Sequence, residues 1–214
     1  MENSASNVQR VIQARQTTKM LAEAPLPIAT DRALIDQLIE SAGWAPFHRP
    51  AAQMHRGELS SIVPWRCYSL DAATCRKLRE YLVSNGDESK LPKMLAAADA
   101  LIVVTWLPNP PKSDIGNQLF EPTVDNMEHL AAASAAVQNL LIAATAHDVA
   151  NYWSSGGALR EDAIKKRLGI PAAEILLGAI FLFPQKCENV DIAPGKLRDL
   201  RGTPNTWSRW VELD

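Results

Sequence analysis

Arg15, Thr17 and Lys19 stand at alternate positions within the stretch IQARQTTKML, residues 12–21. Arginine offers a planar fork of donors, lysine a point charge and threonine a neutral hydroxyl, and together these groups suit a phosphate. The same residues would also suit the solvated end of the apolar, helix-like segment that precedes them, because such surface clusters are common. The motif alone leaves an anion site and a simple helix end both open.

Two further segments combine aromatic surface with polar groups. WAPFH, residues 44–48, places Trp44 and Phe47 beside the ring of His48. YWSSGG, residues 152–157, contains two serines and two glycines, and glycine lets backbone amides approach a ligand closely. The simpler interpretations are a helix-to-loop connection with aromatic anchors and a tight turn before a helix. Neither segment establishes a binding site by itself.

Several common sites of chemistry leave no signature in the sequence. It contains no glycine-rich dinucleotide motif, no P-loop, no G-x-S-x-G and no H-E-x-x-H. The four histidines lack metal-ligand spacing with cysteines or carboxylates, so no metal site is predicted. Cys67, Cys75 and Cys187 form no C-x-x-C pair, and we interpret them as free, structural or incidental thiols in a reducing compartment.

Length and charge narrow the class of protein. The 214 residues suffice for one domain, predicted to span residues 1–214, and the net charge of −2 gives no electrostatic reason to expect nucleic acid or an anionic membrane. The start of the chain lacks the apolar stretch of a signal peptide. The most apolar run, residues 130–146, contains Ser134, Gln138 and Asn139, which favours a buried helix over a membrane span. We therefore expect a cytoplasmic protein.

Helical periodicity and strand-like runs alternate along the chain. The predicted helices cover residues 8–15, 34–42, 72–84, 92–98, 124–147 and 159–168. The predicted strands cover residues 64–70, 100–106, 149–153 and 174–183. Segments 47–64 and 107–122 are predicted loops, and the tail, residues 184–214, is predicted to be irregular, with residues 187–214 a candidate to reach a partner subunit. This pattern indicates an α+β or mixed α/β layered domain.

The order of these motifs resembles that of one family. R-x-[ST]-x-K near the start is followed by A-P-x-H, by P-W-R, by a long apolar helix containing QNLLIAA, by Y-W-x-S-G, and by the strand LLGAIFLFPQ. This order is similar to that of the nitroreductase-like family of FMN-dependent NAD(P)H oxidoreductases, in particular its small single-domain members. The resemblance extends from about residue 10 to residue 186.

The resemblance implies a fold, a cofactor and an activity. The implied fold is an α+β three-layer α/β/α sandwich that forms a domain-swapped homodimer with FMN at the interface. The implied reaction is a two-electron, ping-pong transfer from NAD(P)H to electron-poor acceptors such as nitroaromatics or quinones. No catalytic side chain is implied, because the flavin carries the chemistry while the protein positions and tunes it.

The resemblance also implies a set of FMN-binding residues. Arg15, Gln16, Thr17 and Lys19 would hold the phosphate, the ribityl chain and the pyrimidine edge. Trp44 and His48 would be the contribution of the partner subunit to the flavin pocket. Trp153, Ser154 and Ser155 would pass near the ring, and Gly156 would leave room for it.

The sequence departs from the family pattern between His48 and Pro64, where the link is longer than usual. Val63 replaces a polar residue and Phe47 stands where the family often has one, so the entrance and the acceptor are the open points. This leaves a second hypothesis, a flavin-binding carrier or sensor without turnover. Arg198 and Arg201 are candidates for a phosphate-binding arginine near the C-terminus, but the tail aligns poorly and we do not assign them.

Overall fold

The computed structural model describes residues 4–116, 118–185 and 190–213. The helices in these segments are α1 (Ser4–Ala14), α2 (Arg32–Gly43), α3 (Ala72–Ser84), α4 (Leu91–Ala97), α5 (Val124–Ala146) and α6 (Asp162–Arg167). The strands are β1 (Thr18–Leu21), β2 (Trp65–Asp71), β3 (Ala100–Trp106), β4 (Ala150–Ser154), β5 (Ile175–Phe183) and β6 (Asp191–Pro194). Short 3₁₀ turns cover Gln53–His55, Gly157–Arg160, Arg198–Leu200 and Pro204–Thr206.

A four-stranded antiparallel sheet in the order β2-β3-β5-β4 organises the fold. All seven residues of β3 are buried, as its unbroken apolar sequence predicts for a strand covered on both faces. Alternate β3 residues enter two different clusters: Leu101 and Val103 one, Ile102 and Val104 the other. Because successive side chains of a strand point to opposite faces, each face of the sheet carries its own core. The α+β class predicted from the sequence is confirmed.

Different helices supply the two cores. One core receives apolar side chains from α3, α4 and α6, including Leu78, Leu95 and Ile164. The other receives them from α2 and α5, including Leu38 and Leu140. The nearly uniform apolarity of α5 predicts a position at the centre of the fold or in a subunit interface, and α5 packs against α2 and the sheet within the chain. By length and composition α5 could also cross a membrane, a test that core helices pass as well.

A second, two-stranded sheet removes one open interpretation and corrects one prediction. α1 ends at Ala14, and Thr18–Leu21 is not a helix end but strand β1, which pairs antiparallel with β6. The tail was predicted to be irregular, yet Asp191–Pro194 forms that partner strand. The two strands lie at opposite ends of the chain, so no local periodicity could predict their pairing.

A further correction concerns the helix predicted over residues 159–168. The chain forms a 3₁₀ turn at Gly157–Arg160 and then the separate helix α6, which ends before Gly169 at φ +70°. Glu161 interrupts the helix because its backbone is extended, with φ −68° and ψ 137°. This break brings Arg160 back toward β5, where it contributes to the site described below.

The long link between His48 and Pro64 is a loop, as predicted, apart from the 3₁₀ turn at its centre. Arg66 is buried, and its hydrogen bonds hold this loop in place. Its guanidinium donates to five backbone carbonyl groups, at distances of 2.7 to 2.9 Å; they belong to His55, Leu59, Ser61, Val63 and Trp65. The loop is therefore a built part of the fold rather than a loose insertion.

The predicted structural role of two cysteines agrees with their surroundings. Burial raises the pKa of the thiols of Cys67 and Cys75 to about 12, so both are protonated and unreactive near neutral pH. Both are free thiols. Cys187 lies outside the described residues.

Candidate functional site

A cavity of about 420 Å³ lies where the N-terminal motif meets the C-terminal tail. The motif reaches it because α1 stops at Ala14 and the chain continues into β1. The tail reaches it because β6 pairs with β1 and ends at Pro194, so the residues that follow Pro194 lie beside the motif. The lining residues are Arg15, Gln16, Thr17, Gly195, Lys196, Leu197, Arg198 and Arg201.

Three arginines converge at this cavity. Arg198 donates from Nη1 to the carbonyl oxygen of Arg15 at 2.9 Å, and from Nη2 to the carbonyl oxygen of Gln13. Burial lowers the pKa of Arg15, and repulsion by Arg198 and Arg201 lowers it further. Within residues 4–116, 118–185 and 190–213, none of the three forms an ion pair with a carboxylate. An anion would remove their repulsion, so the geometry suits a phosphate.

Gly195 allows the tail to lie directly against the motif. Its N–H donates to the carbonyl oxygen of Thr17 at 2.9 Å. A side chain at Gly195 would place a Cβ only 2.9 Å from Cβ of Thr17. The absence of a side chain therefore permits the close approach that completes the cavity.

Lys19 lies outside this cavity and points toward strand β4. Its Nζ is 4.6 Å from the centroid of the Tyr152 ring, within the range of a cation–π contact. Thr17 also forms an isolated parallel bridge to Asn151. The N-terminal motif therefore contacts the strand that leads into YWSSGG, so two segments 130 or more positions apart in the sequence are neighbours in space.

The Ser-Ser-Gly segment is a tight turn fixed by its own contacts. Ser154 Oγ accepts from the N–H of Gly156 at 3.2 Å, and Arg160 donates to the carbonyl oxygens of Ser155 and Leu176, each at 2.7 Å. Gly156 has φ +107°, and a Cβ there would lie 2.8 Å from Cδ2 of Leu176. The positive φ thus already requires glycine at this position; that Gly156 leaves room for a flavin ring stays a prediction.

Trp153 lies across a glycine of the neighbouring strand. A Cβ added to Gly178 would come 2.1 Å from Nε1 of Trp153 and 2.8 Å from the carbonyl oxygen of Ser154. The half-buried indole packs at the edge of the core that contains α5. The missing side chain at Gly178 thus determines where the tryptophan of the predicted site can lie.

Trp44 and His48 are not brought to this site within one chain. They follow the C-terminal end of α2 and are exposed, Trp44 to 80%. Their neighbour Phe47 anchors the segment by an edge-to-face contact with Trp65, with 6.0 Å between ring centroids. The assignment of Trp44 and His48 to a partner subunit's pocket therefore stays a prediction.

Sequence reasoning missed part of the cavity. The motifs in the sequence do not point to Gly195 or Lys196 and do not assign Arg198 or Arg201, although all four line the cavity. The sequence does contain a second basic segment, GKLRDLR at residues 195–201, and its positive charge could have indicated a further contribution to an anion site like that of RQTTK. Only the pairing of β1 with β6 shows that the two basic segments meet.

Known proteins resemble this chain in sequence pattern and in fold. The sequence model of the Nitroreductase family matches residues 12–182. A nitroreductase-like family protein from Bacillus cereus has a similar structure, with 20% identity, a TM-score of 0.64 and 96% of each chain covered. A nitroreductase from Desulfovibrio desulfuricans, solved in complex with FMN, shares 21% identity with a TM-score of 0.57, over 94% of this chain and 96% of that one.

The name of a third similar structure mentions NADH and NAD(P)H. It is a protein from Parabacteroides distasonis named as an NADH dehydrogenase/NAD(P)H nitroreductase, with 20% identity, a TM-score of 0.54, and coverage of 94% of this chain and 99% of that one. No curated protein matches this chain in sequence. At identities of 20% to 21%, these three structures show that this chain shares their fold.

Proposed function

This chain belongs to the nitroreductase family, and from that premise we propose that it is an FMN-dependent oxidoreductase that uses NAD(P)H to reduce electron-poor acceptors such as nitroaromatics or quinones. The observation that carries the proposal is the convergence of Arg15, Arg198 and Arg201 around one cavity without a carboxylate partner among the described residues. The FMN complex of the D. desulfuricans protein supports the same cofactor here.

The residues at the cavity fit a flavin mononucleotide. The arginines and Lys196 provide the charge that a phosphate needs, and Gln16 and Thr17 provide neutral groups for a ribityl chain. Lys19, held against Tyr152, is suited to a pyrimidine edge. Trp153, Ser154, Ser155 and Gly156 of the same subunit, with Trp44 and His48 of the partner subunit, complete the proposed pocket.

FMN, when bound, supplies the hydride chemistry, so no side chain of this protein needs to act as nucleophile or general acid. The protein would bind NAD(P)H and then the acceptor in one pocket in turn, which is a ping-pong order. Its own residues position the cofactor: the arginines at the phosphate and the Ser-Ser-Gly turn near the ring.

We further propose that the protein is a homodimer in which the domains exchange segments and each subunit is a three-layer α/β/α sandwich. The homodimer is supported by large apolar side chains that are exposed to solvent in a single subunit. Trp44 is 80% exposed and Trp210 is 97% exposed, and Trp207, Leu197 and Leu213 of the tail are also exposed. A second subunit would cover such a surface. We expect the dimer in the cytoplasm, where thiols stay reduced.

An absorption spectrum of the purified protein tests the proposal. We expect the yellow colour of an oxidised flavin, and bleaching within seconds when NADH or NADPH is added without oxygen. Admission of a quinone or a nitroaromatic should restore the colour. A yellow protein that neither nucleotide bleaches would instead indicate the flavin carrier or sensor. A colourless dimer that does not take up added FMN would contradict both hypotheses.

A further inference from the structure

A second cavity, larger than the arginine-lined one, is lined by Arg160, which also donates to the carbonyl oxygen of Ser155 in the Ser-Ser-Gly turn. Its volume is about 540 Å³, and none of the residues that the structure describes lines both cavities. Pro108, Pro110, Pro111 and Phe120 line one part of it, and we call it the proline-walled cavity. Met54 of the long 47–64 loop lines another part, so a segment in which this chain departs from its family helps to build it.

Hydrogen bonds hold the proline-bearing wall in place. His55 donates from Nε2 to the carbonyl oxygen of Pro108, and His129 donates from Nδ1 to that of Leu107, both at 2.8 Å. Asn126 Oδ1 accepts from the N–H of Asn109 at 2.8 Å. Such anchoring of consecutive backbone groups from α5 and the 47–64 loop gives a cavity that is formed before any ligand arrives.

The flat apolar surface suits a ring. Phe120 packs edge to face against Trp106, with 4.8 Å between ring centroids. The proline rings beside Phe120 add rigid apolar surface without a backbone donor. The volume lies within the range of cavities that enclose small organic molecules.

Lys165 gives the cavity a buried positive charge. Lys165 is one of the lining residues, and it is only 9% exposed. Nζ donates to the carbonyl oxygens of Glu174 at 2.9 Å and Ala172 at 3.4 Å, which leaves the third N–H of the ammonium. Among the residues that the structure describes, Lys165 has no carboxylate within ion-pair distance. A buried ammonium without a counter-ion is unfavourable, and a bound anion would relieve it.

The nearby carboxylates do not serve as that counter-ion. The carboxylate of Glu174 accepts from the hydroxyl of Tyr68 at 3.0 Å and from that of Thr105, and it interacts electrostatically with Arg66. Asp162 is exposed at the cavity, where Arg160 is the second cation. Arg160 and Asp162 offset each other in formal charge, so Lys165 remains the group that an anionic ligand would meet.

We propose that the proline-walled cavity binds a small aromatic carboxylate. The carboxylate meets Lys165, and the ring lies against Phe120 and the prolines. The site is distinct from the arginine-lined cavity and does not depend on the proposed flavin chemistry.

Benzoate and its neutral analogue benzamide test the proposal on the purified full-length chain with the flavin it retains. Calorimetry at low salt gives both affinities, and the spectrum of ¹³C-methyl-labelled methionine gives the location, with Met54 assigned from M54L. We expect benzoate to bind saturably, to shift the Met54 methyl signal, and to bind at least tenfold more tightly than benzamide. Equal binding of the two would overturn the proposal. So would a benzoate-induced change in flavin absorption with the Met54 signal unmoved, since that locates binding at the flavin.

Two neighbouring lysines provide a matched pair of variants. K165M should weaken benzoate binding about tenfold or more, whereas K166M, which changes the exposed next residue of α6, should stay within twofold of the parent. Equal effects of the two would overturn the proposal.

Because K165M leaves two carbonyl groups without their donor, it could unfold the chain. L119E then decides: Leu119 lines the cavity and is 76% exposed, so a carboxylate there should weaken benzoate at least threefold, and an unchanged affinity overturns the proposal.

Discussion

Arg198 donates a 2.9 Å hydrogen bond to the carbonyl oxygen of Arg15, which precedes it by 183 residues in the sequence. Two guanidinium groups are thereby held near one another at the mouth of a cavity, and Arg201 is close enough to add to their repulsion. This contact makes the tail part of the proposed phosphate site. It also explains why the site cannot be recognised from either end of the chain alone.

The first prediction concerns the affinity for FMN. R15A and R198A should each weaken FMN binding by about 1.5–3 kcal/mol, the range for a hydrogen bond to a charged group. Quenching of flavin fluorescence on titration of the apoprotein measures the affinity. R209A is the control, because Arg209 is an exposed arginine of the same tail that does not line the cavity. Unchanged affinity in R15A would mean that the phosphate lies elsewhere.

The second prediction concerns the contact between Gly178 and Trp153. G178A would place a Cβ 2.1 Å from the indole nitrogen, so the ring and the adjacent backbone of Ser154 must move. We expect a loss of about 1–3 kcal/mol in the free energy of unfolding, as for other overpacked sites, and altered tryptophan fluorescence.

G43A is the matched control for that experiment, since a Cβ at Gly43 meets no atom of the described residues within 4 Å. Urea unfolding of both variants gives the comparison. If G178A proved as stable as G43A and kept the parent's fluorescence, the role assigned to Gly178 would be wrong.

The third prediction concerns the dependence of stability on pH. Hydrogen bonds from Thr74, followed by the contact with Arg32, lower the pKa of Asp71 from 3.8 to about 2. A pKa that is lower in the folded state stabilises the fold above the unfolded-state pKa, and this contribution is lost as pH falls from about 4 to about 2. We expect it to be about 1–2 kcal/mol after screening by solvent.

D71N measures this contribution because asparagine can still cap α3 but carries no charge. The difference in unfolding free energy between the parent and D71N should be full at pH 7 and should shrink toward pH 2. D36N, at an exposed position of α2, should show no such trend. A difference for D71N that stays constant over this range would contradict the assignment.

The fourth prediction concerns the 47–64 loop. R66M removes the donor to five backbone carbonyl groups and should destabilise the protein by about 3 kcal/mol or more, since each buried acceptor left without a partner is costly. The loop should open, and trypsin should then cut after Arg56 faster than in the parent. R49M, which removes an exposed arginine with only long ion pairs, should leave the cleavage rate unchanged. Equal rates in the two variants would show that Arg66 does not hold the loop.

Much of the layered core could be predicted from local pattern. The unbroken apolar run of β3 and the nearly uniform apolarity of α5 each describe an element buried on more than one side. Asp71 before α3 marks that helix start, because an acidic residue accepts from the first free backbone amides. These features depend on neighbours in the sequence, which is why periodicity and capping reveal them.

The cations and hydroxyls of RQTTK, the serine–glycine turn and the apolar elements that support both are local patterns, and they can be read directly from the amino-acid sequence. Which of these segments contact one another becomes clear only from the folded chain. The pairing of β1 with β6 brings Arg15 and Arg198 together. Trp153 packs against Gly178, where any side chain would clash with the indole. Lys165 lines the same cavity as the prolines of a distant loop. Contacts between remote segments depend on how the whole chain closes around its two cores, and this closure leaves no periodic signal in the residues that it brings together.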